Sequence, residues 1–96
     1  MIVSFNRLAE HELNDAAQYY ELESQGLGAA FLREVERCCA SIVEHPDAGH
    51  RIRGAVRRRL IARFPYAILY TLRPDVVRVV AVMNLKRRPG YWVGRA

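Results

Sequence analysis

The 96-residue chain has one lysine, one tryptophan and two cysteines, and its second half carries a single acid, Asp75. Each scarcity excludes something. The cysteines are the neighbours Cys38 and Cys39 within helical spacing, where adjacent side chains point about 100° apart and a mutual disulfide is disfavoured. Two thiols make no disulfide framework, and they read as small residues near a helix–helix contact rather than as a redox or metal pair. No apolar run approaches the roughly 20 residues that cross a bilayer, so no membrane role is expected. The start "MIVSFNRLAEHE" lacks the basic and apolar regions of a secretory leader, which points to the cytoplasm. The six glycines form no phosphate-cradling loop, and Ser4, Ser24 and Ser41 lie in no Gly-x-Ser-x-Gly context. Histidine is equally sparse. His11 sits among helix acids as a surface residue, and "HPDAGH" places His45, Asp47 and His50 at no strong ligand spacing. Neither a metal nor a cofactor is expected.

What is present is apolar mass and arginine. At 51% hydrophobic and 26% charged residues, the chain reads as one folded domain over residues 1–96, large enough for one modest core. Its net charge of +5 is unevenly distributed. Residues 1–50 hold three arginines and nine acids, a balance of −6, whereas residues 51–96 hold eleven arginines, one lysine and one acid, a balance of +11. Such segregation suggests that the second half faces nucleic acid or an acidic partner; arginine used merely as a solubiliser is the alternative.

Hydrophobic spacing divides the chain into elements. "MIVSF" alternates Val3 and Phe5 around Ser4 as a strand, and Asn6 is placed to cap a helix. Leu13, Ala16, Ala17 and Tyr20 recur at helical spacing after Ala9, with Glu10, Glu12, Asp15 and Glu21 mostly on the outer side. "SQGLG" ends that helix. A second carries Leu27, Phe31, Val35, Cys38 and Ile42 and stops before Pro46. "DAGHRIRG", residues 47–54, reads as a loop. The period then changes to two: Val56, Arg58, Leu60 and Ala62 share one face, and Arg57, Arg59, Ile61 and Arg63 the other. Phe64-Pro65 makes a corner, "YAILYTL" a strand, "RPD" a turn and "VVRVVAVMN" a central strand. The expected order is β-α-α-β-β-β, an α+β fold with a helical hairpin on one face of a largely antiparallel four-stranded sheet. Phe31, Val35 and Ile42 are expected to pack on Val79 and Ala81.

The chemistry on offer is cationic. Arg51, Arg53, Arg57, Arg58, Arg59 and Arg63 fall within thirteen residues, and Lys86, Arg87 and Arg88 follow the last strand. Guanidinium forks suit phosphate and carboxylate alike, and Tyr91 and Trp92 could stack on bases. The plainer reading of Trp92 is a C-terminal clasp over the edge of the core. Whether the two cationic clusters share one end of the sheet is open from sequence.

The order of "AEHELNDAAQYYE", "VRRRLIARFPYAILYTL", "VVRVVAV" and "KRRPGYW" resembles the RelE/ParE toxin superfamily over nearly the whole chain. These are toxins of type II toxin–antitoxin modules, some first named plasmid stabilisation proteins. The resemblance implies a small acidic antitoxin as partner, in a hetero-oligomer or beside a homodimer. It leaves two targets. The RelE branch cleaves mRNA on the ribosome, and on its pattern Arg58, Lys86 or Arg87, and Tyr91 match the cations and tyrosine. Leu60 and Ala67, however, stand where further cations belong, and Asn84 stands where many relatives have histidine. "FPYAILY" is more similar to the ParE branch, which inhibits DNA gyrase without cleaving RNA. The expectation is therefore a ParE-like, non-enzymatic toxin, with Arg57, Arg58, Arg59, Arg63, Lys86, Arg87, Arg88, Tyr91 and Trp92 contacting target or partner. A basic nucleic-acid-binding module and a degenerate toxin are the alternatives of other classes.

Overall fold

The computed structural model describes residues 1–95. Strand β1 (Ile2–Phe5) leads into helix α1 (Arg7–Glu23), then α2 (Leu27–Glu44), a 3-10 turn at Pro46–Ala48 and four strands. These are β2 (His50–Arg53), β3 (Val56–Leu60), β4 (Tyr66–Arg73) and β5 (Val76–Asn84). They form one sheet in the order β1-β5-β4-β3-β2. Every pairing is antiparallel except β1 with β5, which is parallel.

The helices begin and end where their sequences direct. Asn6 caps α1 by accepting the Ala9 amide at 2.7 Å. Glu21 reaches across the connection, and its carboxylate accepts the amides of Gly26 and Gly28 at 2.9 and 3.0 Å. A negative charge is thus held against the positive end of α2. The apolar stripes of both helices lie on one sheet face, where Phe31 and Ile42 are fully buried against Ile68, Tyr70, Val77 and Val79. Tyr20, Phe31, Phe64 and Tyr66 pack ring to ring there, with centroids 4.8–6.1 Å apart.

The sheet has five strands, one more than the sequence reading expects. Residues 47–54, read as a loop, hold the end of the 3-10 turn and all of β2. The missed signal is Gly54-Ala55, which joins Arg53 to its partner Val56 as a two-residue hairpin turn with Gly54 at φ 55°. Glycine at the first turn position is a known hairpin signature. β2 carries charge on both sides of Ile52, so its apolar content conceals it.

A second correction concerns β5. Leu69 pairs with Ala81 and Tyr70 with Val79, leaving Val80 as an extra residue in a β-bulge. The bulge inverts the alternation. Val77, Val79 and Val82 face the helices, while Val80, Ala81 and Met83 face away. Ala81 therefore does not meet Phe31, although Val79 belongs to that core as expected. The outer face is itself apolar: Val56, Ala67, Leu69, Val80, Ala81 and Met83 are buried beneath Trp92 from the C-terminal segment. Both faces of the sheet are covered, which explains the nearly continuous apolar text of β4 and β5.

Candidate functional site: a cationic hollow beside the C-terminal clamp

Strand alternation sorts the consecutive arginines of β3. Arg57 turns toward the helix layer and donates to the carbonyls of Asp47 and Gly49 at 3.1 and 3.0 Å, with the Asp47 carboxylate 3.5 Å away. Arg59 also turns inward, where it donates to Ser41 Oγ and leaves its Nη1 buried without a side-chain or backbone partner among the described residues. Arg58 points to the opposite face. Its strand partners are His50 on β2 and Leu69 on β4. Arg63 takes the left-handed conformation at the corner (φ 73°), 3.8 Å from the buried Glu34 carboxylate and over the Phe64 ring. Arg57, Arg59 and Arg63 are thus engaged within the fold.

The C-terminal segment folds back across the sheet. Arg95 donates to both carboxylate oxygens of Glu12, at 2.9 and 3.3 Å, and Tyr91 donates its hydroxyl to the same carboxylate at 2.6 Å. Glu12 in turn accepts the Val82 amide at 3.0 Å, while Arg95 and Asn6 both donate to the Val80 carbonyl at 3.2 Å. These contacts satisfy the edge of β5 just beyond its pairing with the shorter β1, at the bulge. Burial and the hydrogen bond to Glu12 push the Tyr91 hydroxyl well above the ordinary tyrosine range, and nearby Arg95 and Arg87 offset only part of that. Tyr91 is a held proton donor. Glu12, assigned from helical spacing to the outer side of α1, instead binds strand and tail.

Arg87, in the turn after β5, lies over the clamped Tyr91, its guanidinium carbon 4.2 Å from the ring centroid. Arg53, Arg58 and Arg87 line one hollow of about 380 Å³ on the outer sheet face, floored by Ile52, Met83 and Leu85. The two cationic clusters, whose relative placement sequence left open, therefore meet through Arg58 and Arg87. On the other side of Tyr91, a cleft of about 450 Å³ runs between α1 and the end of β5. Glu12, Asp15, Tyr19, Tyr66 and Lys86 line it, and it is electrically mixed. Lys86 thus lies outside the hollow, as does the exposed Arg88. Trp92 is 5% exposed and closes the outer core, as the clasp reading anticipates, so its ring is not displayed for stacking.

The remaining candidates fall elsewhere. His45 follows α2 and sits 3.9 Å from Glu44, Asp47 faces Arg57, and His50 pairs in β2. Among the described residues, no three His, Cys, Asp or Glu side chains gather as metal ligands would. Cys38 and Cys39 are buried free thiols, and burial pushes Cys39 up to about 12. Sequence reasoning missed Glu12 and Arg95, whose pairing spans 83 positions and leaves no local trace. Arg53 could have been placed by recognising the Gly54-Ala55 hairpin.

A helical hairpin on one face of a mixed sheet, with a C-terminal clasp on the other, has the architecture of RelE/ParE-like toxins. Among solved structures the chain is similar to one titled "Chromosomal ParDE TA system from P. aeruginosa", with a TM-score of 0.66 at 15% identity, over 90% of this chain and 97% of that one. No curated protein matches it. Residues 3–89 match the family described as "ParE toxin of type II toxin-antitoxin system, parDE". The chain belongs to that family. No helix among the described residues is long and apolar enough to cross a membrane.

Proposed function

We propose that residues 1–96 act as one toxin domain of the ParE kind, which inhibits DNA gyrase by binding it, cleaves no RNA, and is neutralised by a small acidic antitoxin. The observation that carries this reading is the state of Tyr91. A ribonuclease at this position needs a tyrosine free to exchange a proton with RNA, beside several cations on one phosphate. Tyr91 is instead bonded to Glu12, and its proton is held more tightly than in free tyrosine. Leu60 and Ala67 also support the reading. Leu60 is 61% exposed and uncharged, while Ala67 is fully buried where a cation could not be solvated. Binding requires only a surface; Arg58 and Arg87 in the outer hollow, with the exposed Arg88 next in sequence, are the candidates that support this reading.

The convergence of Arg58 and Arg87 in one hollow favours a second reading, a RelE-like ribonuclease. Two assays separate them. Added to purified gyrase, the chain is expected to inhibit supercoiling. Added to translating ribosomes, it is expected to leave mRNA intact. Codon-specific cleavage abolished by Tyr91→Phe would move the protein to the ribonuclease branch. Neither activity, with an antitoxin complex still formed, would identify a degenerate toxin. Coexpression with the adjacent gene tests the partner: a retained small acidic protein is expected, and recovery of the basic chain alone counts against it.

A further inference from the structure

The cleft between α1 and the end of β5 has walls of opposite charge. On one side α1 presents Glu12, Asp15, Ala16, Tyr19 and Tyr20, which share one helical face. On the other, the turn after β5 presents Lys86 and Arg87. Glu12 is consumed by Arg95, Tyr91 and the Val82 amide. Asp15 is not. Among the described residues no ion pair reaches Asp15, Lys86 or Arg87, so a carboxylate and two cations line one cleft without closing on each other. Both signs are left for a ligand with hydrogen-bond donors at one end and an anion at the other.

What lies between the charges is aromatic. Tyr19, Tyr20, Tyr66 and Tyr91 all line the cleft. Tyr20 and Tyr66 are fixed against the core, with centroids 6.1 Å apart. Tyr19 stands edge-on to Tyr20 at 5.3 Å and is otherwise exposed, a ring face open to a planar partner. The volume of about 450 Å³ is that of a small-molecule pocket. A nucleotide has the required build, a flat base with a phosphate at its far end.

The acid selects the base. Guanine offers its N1–H and N2–H side by side, and one carboxylate accepts both. Adenine places an acceptor at N1, and uracil flanks its single N–H with two carbonyls, which a carboxylate repels. Asn84 complements this choice. Its Oδ1 accepts the Lys86 amide at 2.9 Å, which turns Nδ2 toward the Tyr66 hydroxyl at a long 3.4 Å. That nitrogen has a hydrogen to spare for a carbonyl such as guanine O6.

We propose that this cleft is a guanine-nucleotide site. Asp15 accepts from N1 and N2 of the base, Asn84 donates to O6, Tyr19 stacks on the ring, and Lys86 with Arg87 binds the phosphate. The site shares only Arg87 with the outer hollow and does not depend on which target the toxin binds. A free nucleotide and a guanine within a single strand present the same groups.

The full chain is titrated calorimetrically with GMP, guanosine, IMP, AMP and UMP, and amide shifts are followed with GMP. GMP is expected to bind at least about tenfold more tightly than AMP or UMP, since either loses the bidentate pair. IMP, which lacks the N2 amino group, should fall between. Guanosine should bind more weakly than GMP at low salt, and the gap should close as salt rises. Asp15→Asn should erase the preference for GMP over AMP, and Lys86→Gln should reduce the advantage of GMP over guanosine. Both residues are exposed, so the melting midpoint should stay in place. Arg73→Gln, at the far end of β4, should change neither preference. The trinucleotide UpGpU separates the two sources: tighter binding than GMP supports the site with a strand as its occupant, and weaker binding supports it with a free nucleotide. Equal binding of GMP and AMP, a preference that survives Asp15→Asn, no binding at millimolar GMP, or shifts centred on Arg58 and Trp92 would each overturn the proposal.

Discussion

Replacing Glu12 with alanine removes one carboxylate and strands three donors at once. Arg95 loses both of its bonds to the carboxylate, the Tyr91 hydroxyl loses its acceptor, and the Val82 amide is left open at the bulge. The Glu12 and Arg95 side chains are 17% and 15% exposed, so water can replace little of what is lost. Removing one partner from a buried ion pair costs about 3–5 kcal/mol, because the surviving charge stays desolvated. A domain of this length is stable by roughly 5–14 kcal/mol, so the variant is expected to lose a large share of its margin. Its melting midpoint should fall by roughly 12 °C or more. Glu12→Gln keeps an acceptor for Val82 and should cost less, about 1–2 kcal/mol.

The assay is urea denaturation followed by far-ultraviolet dichroism and by Trp92 fluorescence, for Glu12→Ala, Arg95→Ala and the double variant. Dichroism reports the helices on one face, and Trp92 reports the strap on the other. The cycle should show a coupling of about 1–3 kcal/mol, since the two side chains act as one unit. In Glu12→Gln, native-state Trp92 emission should shift to the red as the strap loosens while the helical signal persists. Strictly additive losses, or a Glu12→Ala midpoint indistinguishable from that of the parent, would refute the clamp.

Phe31→Ala should cost about 3–5 kcal/mol by denaturant titration, since the fully buried ring contacts three others; an unchanged midpoint would place it at the surface. Stability should fall as the solution becomes alkaline, because the folded state holds its protons more tightly than the unfolded chain. For Cys39 the contribution is intact below about pH 9 and is lost as pH rises toward the folded value of about 12. Tyr91, also raised, adds a further loss above its ordinary value of 10.0, so Tyr91→Phe should flatten the decline above that point in midpoints measured across the alkaline range. Among the consecutive arginines, Arg57→Glu should lower the thermal midpoint by breaking its bonds to the 3-10 turn, whereas Arg58→Glu should leave it nearly unchanged.

The helical layer was legible because its information is local. Asn6 as cap, the spacing from Leu27 to Ile42 and the stop before Pro46 can each be read within a few residues, and the structure has them all. The sheet was legible only where alternation survives. In β3 the parity of Val56 through Leu60 is as read. In β5 every position around the bulge is apolar, so the text "VVAV" does not reveal that Val80 and Ala81 turn to the same side. The clamp was illegible for another reason. Its members, Glu12, Tyr91 and Arg95, belong to opposite ends of the chain and meet only because β1 stops short and leaves part of the β5 edge to be satisfied by side chains.

The abundance of arginine in β3 therefore has two causes, separated by strand geometry. Inward-facing Arg57 and Arg59 lie beneath the end of α2, where carbonyls and a hydroxyl accept from these long side chains and bridge strand and helix layer. One Arg57 nitrogen, Nη1, donates to both carbonyls, while the other, Nη2, lies 3.5 Å from the Asp47 carboxylate, so the planar head meets backbone and side chain together. Arg58 has no such task within the described fold. Because side chains alternate at every residue, a segment that needs cations on its inner face at 57 and 59 leaves 58 free to take any outward residue. Here it is a third arginine, which joins Arg53 across the hairpin and Arg87 from the tail. Arg87 is placed there by the turn after β5, where its amide donates to the Asn84 carbonyl at 2.9 Å, and it lies over the Tyr91 ring that Glu12 holds. An acid from the negative half of the chain thus fixes the tail that runs beside a cationic surface from the positive half.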